Sequence, residues 1–82
     1  MYSVVVIISE IDDGSETHVC EETFIVETNR IDEFVADFWG YDAERDGDGY
    51  EAINHDVKWR VASSTVINPD ELPVLQKYLR QL

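Results

Sequence analysis

The sequence predicts an α+β fold, an antiparallel sheet of three or four strands with two helices packed on one face, in the order β-β-α-β(β)-α. Three observations carry that expectation. A β-branched run at Tyr2–Ser9 is followed by an Asp-Gly turn and an alternating segment, which reads as a hairpin. An apolar stripe at helical spacing follows, and a second strand–helix pair closes the chain.

The first strand, YSVVVIIS, has no polar residue between Ser3 and Ser9 and reads as buried on both faces. Asp13-Gly14 is a hairpin turn signal, because both residue types tolerate positive φ. The returning strand is His18–Glu27. Cys20, Phe24 and Val26 point one way and Glu21, Thr23 and Glu27 the other, with Glu22 breaking the alternation. Cys20 is expected in the core by this pattern.

Ile31, Phe34, Val35, Phe38 and Trp39 fall at i, i+3, i+4, i+7 and i+8 and predict the first helix. Thr28 or Asn29 is placed to cap it, and Gly40 to end it. Tyr41–Gly49 reads as a polar loop, Tyr50–Ile53 as a short strand and Val57–Ile67 as a longer one. A closing helix is predicted from Leu72, Leu75, Leu79 and Leu82, with Pro73 in its first turn and Asp70 as its cap. No repeat or linker divides the chain, so residues 1–82 read as a single domain.

Charge is the strongest functional signal. The chain carries 18 carboxylates against 6 Lys and Arg, a net charge of −12. Sixteen of those carboxylates precede Lys58, where only Arg30 and Arg45 oppose them. Nucleic acid would be repelled by such a surface, since phosphate affinity comes from Lys and Arg. A basic protein surface would be attracted and steered to it. Cys20 is the only cysteine, so no intrachain disulfide forms and a reducing compartment fits. The longest apolar run, Val4–Ile8, is too short for a membrane span, and no signal-peptide pattern precedes it. A cytoplasmic protein is therefore expected.

Motifs for chemistry are weak. Asp42-Ala43-Glu44-Arg45-Asp46-Gly47 resembles the start of a calcium loop, but Gly49 and Ile53 stand where an apolar residue and a bidentate Glu are required. His18 and Cys20 share a strand face, yet only His55 is left as a further nitrogen ligand. No Gly-rich turn or oxyanion motif accompanies the Cys and His residues. The reading is no enzyme, no metal and no cofactor.

Carboxylates at alternate strand positions lie about 6.6 Å apart, and i, i+4 pairs on a helix about 6 Å apart. Both are comparable to the spacing of successive phosphates along a nucleic-acid strand. The array able to meet a basic partner comprises Glu10 and Asp12, Glu21, Glu22 and Glu27, Glu33 and Asp37, then Asp42, Glu44, Asp46 and Asp48. The site is expected at Glu33, Asp37 and the Asp42–Asp48 run, with Tyr41 and Tyr50 as aromatic anchors beside the loop. In size, acidity and lack of enzymatic motifs the chain resembles the small inhibitors encoded by phages and mobile elements. These include anti-CRISPR and anti-restriction proteins, several of which mimic nucleic acid. The resemblance implies an inhibitor that occupies the basic groove of a nucleic-acid-handling protein, as monomer or homodimer, and it carries over no individual residue. The alternative is a non-catalytic interaction module or subunit of a larger complex, whose acidity serves solubility.

Overall fold

In the computed structural model, which describes all 82 residues, the sheet has six strands. Tyr2–Asp12 (β1) and Thr17–Glu27 (β2) form a long antiparallel hairpin. A 3-10 turn at Thr28–Arg30 leads into a short helix, Ile31–Ala36 (α1). Glu44–Asp46 (β3) and Gly49–Ala52 (β4) form a second hairpin, and Val57–Val66 (β5) runs back along β1. A single helical turn, Leu72–Leu75 (α2), precedes the two-residue strand Arg80–Gln81 (β6). The order across the sheet is β3-β4-β5-β1-β2-β6, with β6 parallel to β2 and every other pair antiparallel.

This corrects the predicted architecture: the sheet is mixed and twice the minimum expected width, and two helices do not pack on one face. The closing helix is regular only over Leu72–Leu75; the chain continues in turns to Leu79, whose amide donates to the Leu75 carbonyl, and Arg80–Gln81 is drawn into pairing with Phe24 and Ile25. The polar loop also hides a strand. Gly47, at φ 59°, turns the chain so that Arg45 lies opposite Tyr50 and Asp46 opposite Gly49. The first helix keeps its predicted stripe but has no side-chain cap, and it ends at Ala36 before the turn that carries Phe38 and Trp39.

Alternation sorts β1 between two faces. Ser3, Val5, Ile7 and Ser9 are buried beneath α1, whereas Tyr2, Val4, Val6 and Ile8 on the second face are half-buried. The strand is thus fully covered on one side only. The core under α1 joins Val5 and Ile7 to Phe24, Val26, Val35 and Trp59. Each of these side chains gains about 1.5–3 kcal/mol by leaving water. Phe24, Phe34 and Phe38 meet edge to face, with centroids 5.3–5.6 Å apart. Ile25, fully buried, points to the second face. The chain leaving β5 at Ile67 must cross that face to reach β6, bringing Leu72 near Tyr2 and Ile67.

Two indole hydrogen bonds tie α1 to the sheet. Trp59 Nε1 donates to the Val35 carbonyl at 2.7 Å, and Trp39 Nε1 donates to the buried Ser9 hydroxyl at 3.0 Å. Ser3, the other buried hydroxyl of β1, shares a 2.8 Å hydrogen bond with Thr28. No buried side-chain polar atom is left unpaired. Replacing Trp59 with Phe keeps a ring in the core but deletes the buried donor to Val35. We expect Trp59→Phe to lose about 1–3 kcal/mol of stability, read as a lower urea midpoint at unchanged denaturant slope.

Candidate functional site

The register assigns each acidic side chain to a face. On the second face the ladders place Glu10, Lys58, Glu51 and Glu44 in one row across β1, β5, β4 and β3. The next row is Ile8, Arg60, Gly49 and Asp46. Neighbouring strands are about 4.8 Å apart and like-facing residues along a strand about 6.6 Å apart, so these rows form a lattice of charges. Gly49 is needed in it: a Cβ there would lie 2.9 Å from the Arg60 Cβ and collide with the Trp59 carbonyl oxygen. A shallow hollow of about 80 Å³ lies over Gly49, edged by Asp46, Asp48, Lys58 and Arg60.

The predicted site residues divide into three groups. Glu44, Asp46 and Asp48 belong to the β3–β4 hairpin and are exposed, as is Asp42 just before it. Glu33 on α1 and Asp37 at its C-cap are one turn apart and line a different hollow, of about 330 Å³, beside Phe34, Phe38 and Leu82 near the opposite edge of the sheet. They are not continuous with the hairpin. The tyrosines face elsewhere. Tyr41 stacks between Trp39, at 6.3 Å, and His55, at 3.7 Å, and stays 38% exposed. Tyr50 is half-buried on the α1 face, between Trp59 at 5.9 Å and the Arg45 guanidinium at 5.0 Å.

Sequence reasoning did not find Glu51, which stands directly opposite Glu44, nor the role of Lys58 and Arg60 as cations set inside the acidic lattice. Only the ladder register reveals these neighbours, because β3 carries no hydrophobic pattern. Cys20 is also relocated. It is exposed, although it shares the α1 face with Phe24, because the helix layer ends where Trp39 reaches Ser9, the residue opposite Cys20.

Charge compensation is sparse. The ion pairs are His18–Asp13 at 2.8 Å, at the β1–β2 turn, and Arg30–Glu27 at 3.5 Å. Sixteen of the 18 carboxylates therefore have no ion-pair partner. Asp13 is a turn residue in function: it accepts hydrogen bonds from the Glu16 and Ser15 amides at 2.9 and 3.0 Å, besides contacting His18. The Glu16 amide first, then His18 and Ser15, hold its carboxyl well below the usual value of 3.8. No set of three His, Cys, Asp or Glu side chains is grouped as a metal site, and no helix is long and apolar enough to cross a membrane. The chain matches no protein-family model, no curated protein and no solved structure.

Two expectations follow from the geometry. Glu44 and Glu51 are like charges in direct cross-strand opposition. Because β3 is an edge strand, Glu44 faces only Glu51, and Glu44→Gln should raise stability by about 0.2–1 kcal/mol in a low-salt thermal melt, with a gain that shrinks in about 1 M salt. Asp13 has a depressed carboxyl, so its support of the turn is complete above 3.8 and is lost only as pH falls further. Amide shifts of Ser15 and Glu16 should hold steady down to about pH 4 and move only in stronger acid. In Asp13→Ala they should lose the downfield character of hydrogen-bonded amides at neutral pH.

Proposed function

We propose that this chain is a non-catalytic inhibitor that presents its carboxylates to the basic groove of a nucleic-acid-handling protein. The observation that carries the reading is how sparse internal compensation is: sixteen carboxylates make no ion pair within 4 Å, and Lys58, set between Glu10 and Glu51, makes none, so most of their charge stays available to a partner. The β3–β4 hairpin supports it locally. Glu44 and Asp46 repeat at alternate positions, Asp48 follows in the turn, and the hairpin forms one edge of the sheet. Lys and Arg lining a groove built for phosphates would lose their counterions to such a surface, giving fast association that weakens steeply with salt. One further observation favours the second reading, an interaction module. The C-terminal segment exposes Val74 at 55% and Tyr78 at 80% of their surfaces, in a stretch where charge is nearly balanced.

The test is capture from host lysate with the tagged protein, at about 0.05 and 0.5 M salt, beside the variant Asp42→Asn/Glu44→Gln/Asp46→Asn/Asp48→Asn. The expected result is a nucleic-acid-binding protein retained at low salt, released at high salt or by added DNA or RNA, and captured at least about tenfold less by the variant. A partner that resists salt and ignores nucleic acid, or equal capture by the variant, overturns the reading.

A further inference from the structure

The outer side of β2 is an unfinished ladder. In an antiparallel pair, residues alternate between those bonded to the neighbour and those turned away from it. The Thr28 amide donates to the Met1 carbonyl, so the positions opposite each other with Glu27, Ile25, Thr23, Glu21, Val19 and Thr17 are the unbonded ones, and these residues turn their amides and carbonyls outward. β6 uses the first part of this edge: the Leu82 amide donates to the Ile25 carbonyl, and Arg80–Gln81 lies beside Phe24 and Ile25. From Thr23 down to Thr17 no strand follows, because β6 is only two residues long. The parallel Phe24–Arg80 pairing occupies the Thr23 carbonyl, so the remaining stretch offers three complete outward donor and acceptor sets, at Glu21, Val19 and Thr17, and the Thr23 amide.

Its surroundings select an occupant. Glu21 projects on the second face and Glu22 on the α1 face, so carboxylates flank the slot on both sides. A second copy of β2 would set Glu21 and Glu22 against their own counterparts, which like-charge repulsion disfavours. Beside Glu22 a hollow of about 290 Å³ opens, lined by Phe24, Phe34, Phe38 and Trp39 and closed at the β6 end by Arg80 and Leu82, and it adjoins the hollow edged by Glu33 and Asp37. An added strand would send alternate side chains into this aromatic hollow and toward Glu21.

We infer that the β2 edge from Thr17 to Thr23 binds an extended basic segment of the partner protein by strand addition, backbone hydrogen bonds supplying affinity and Glu21 and Glu22 selecting Lys and Arg. This rests on the acidic-inhibitor reading and adds where a segment of the partner is held. It also gives Glu33 and Asp37, remote from the β3–β4 hairpin, a place at the same contact.

The test uses a capped peptide as long as the slot, alternating Lys or Arg with Val or Phe, and a second peptide of the same sequence N-methylated at alternate residues. N-methylation removes the donors of one peptide edge and keeps every charge. The expected result is that the first peptide binds and slows hydrogen exchange at the Val19, Glu21 and Thr23 amides, while the second binds at least about tenfold more weakly. Val19→Pro removes an outward amide without touching the β1 ladder and should weaken the first peptide with the circular dichroism spectrum unchanged. Equal, salt-sensitive binding of both peptides overturns strand addition and leaves the acidic-surface reading standing. Failure of both peptides to bind at low salt overturns both.

Discussion

A helix of six residues cannot hold itself in place, and here two tryptophan side chains do so for it. One indole rises from β5 to the Val35 carbonyl, and the other descends from the turn after α1 to Ser9 on β1. Between these anchors Phe34 and Phe38 are pressed onto Phe24. Much of what is buried on that face depends on this registration, because α1 and the turn carrying Phe38 and Trp39 pack onto the cluster around Val5 and Ile7. The serines of β1 make sense in the same frame. Ser9 is an acceptor for an incoming donor, and Ser3 closes the far end with Thr28. Apolar residues at those two positions would leave an indole and a threonine hydroxyl searching for partners in a region with little water.

Charge is arranged with equal economy and opposite intent. Lys58 and Arg60 come no nearer than 4 Å to any carboxylate oxygen, although Lys58 stands between Glu10 and Glu51 in the ladder. The acidic hairpin joins the body through the short β4–β5 ladder and the packing of Tyr50 and Ala52 against the core. The molecule thus separates its duties: a dry aromatic layer on one face maintains the fold, and the second face and both edges carry unneutralised charge. Self-repulsion lowers stability at low ionic strength, a cost the small core must bear.

Where hydrophobic periodicity was strong, the sequence was readable. The β1–β2 hairpin, the stripe of α1, β4 and the long β5 all lie close to where pattern and turn residues place them. What escaped was short or polar. β3 is three exposed residues, Glu-Arg-Asp, whose pairing comes from Gly47 and from tertiary contact, with no signal of its own. β6 lay hidden in a leucine pattern that serves the crossing over the second face as well as it would serve a helix. The candidate site was legible as charge but not as geometry. Asp42, Glu44, Asp46 and Asp48 were visible as a run, whereas the opposition of Glu44 and Glu51, and the distance of Glu33 and Asp37 from that run, depend on strand order.

The position of β1 at the centre of the sheet has a consequence for how the chain folds. Its partnership with β2 is local and can close within microseconds, as hairpins do. Its other partner begins about fifty residues downstream, and β5 cannot dock until α1 and the acidic hairpin have been spanned. Until then one long edge of β1 stands open, with Val4, Val6 and Ile8 uncovered beside it. Like-charge repulsion between chains, set by the carboxylates of the same hairpin, opposes edge-to-edge pairing of that open strand. The acidity of the finished surface thus also bears on the open edge of β1 before β5 docks.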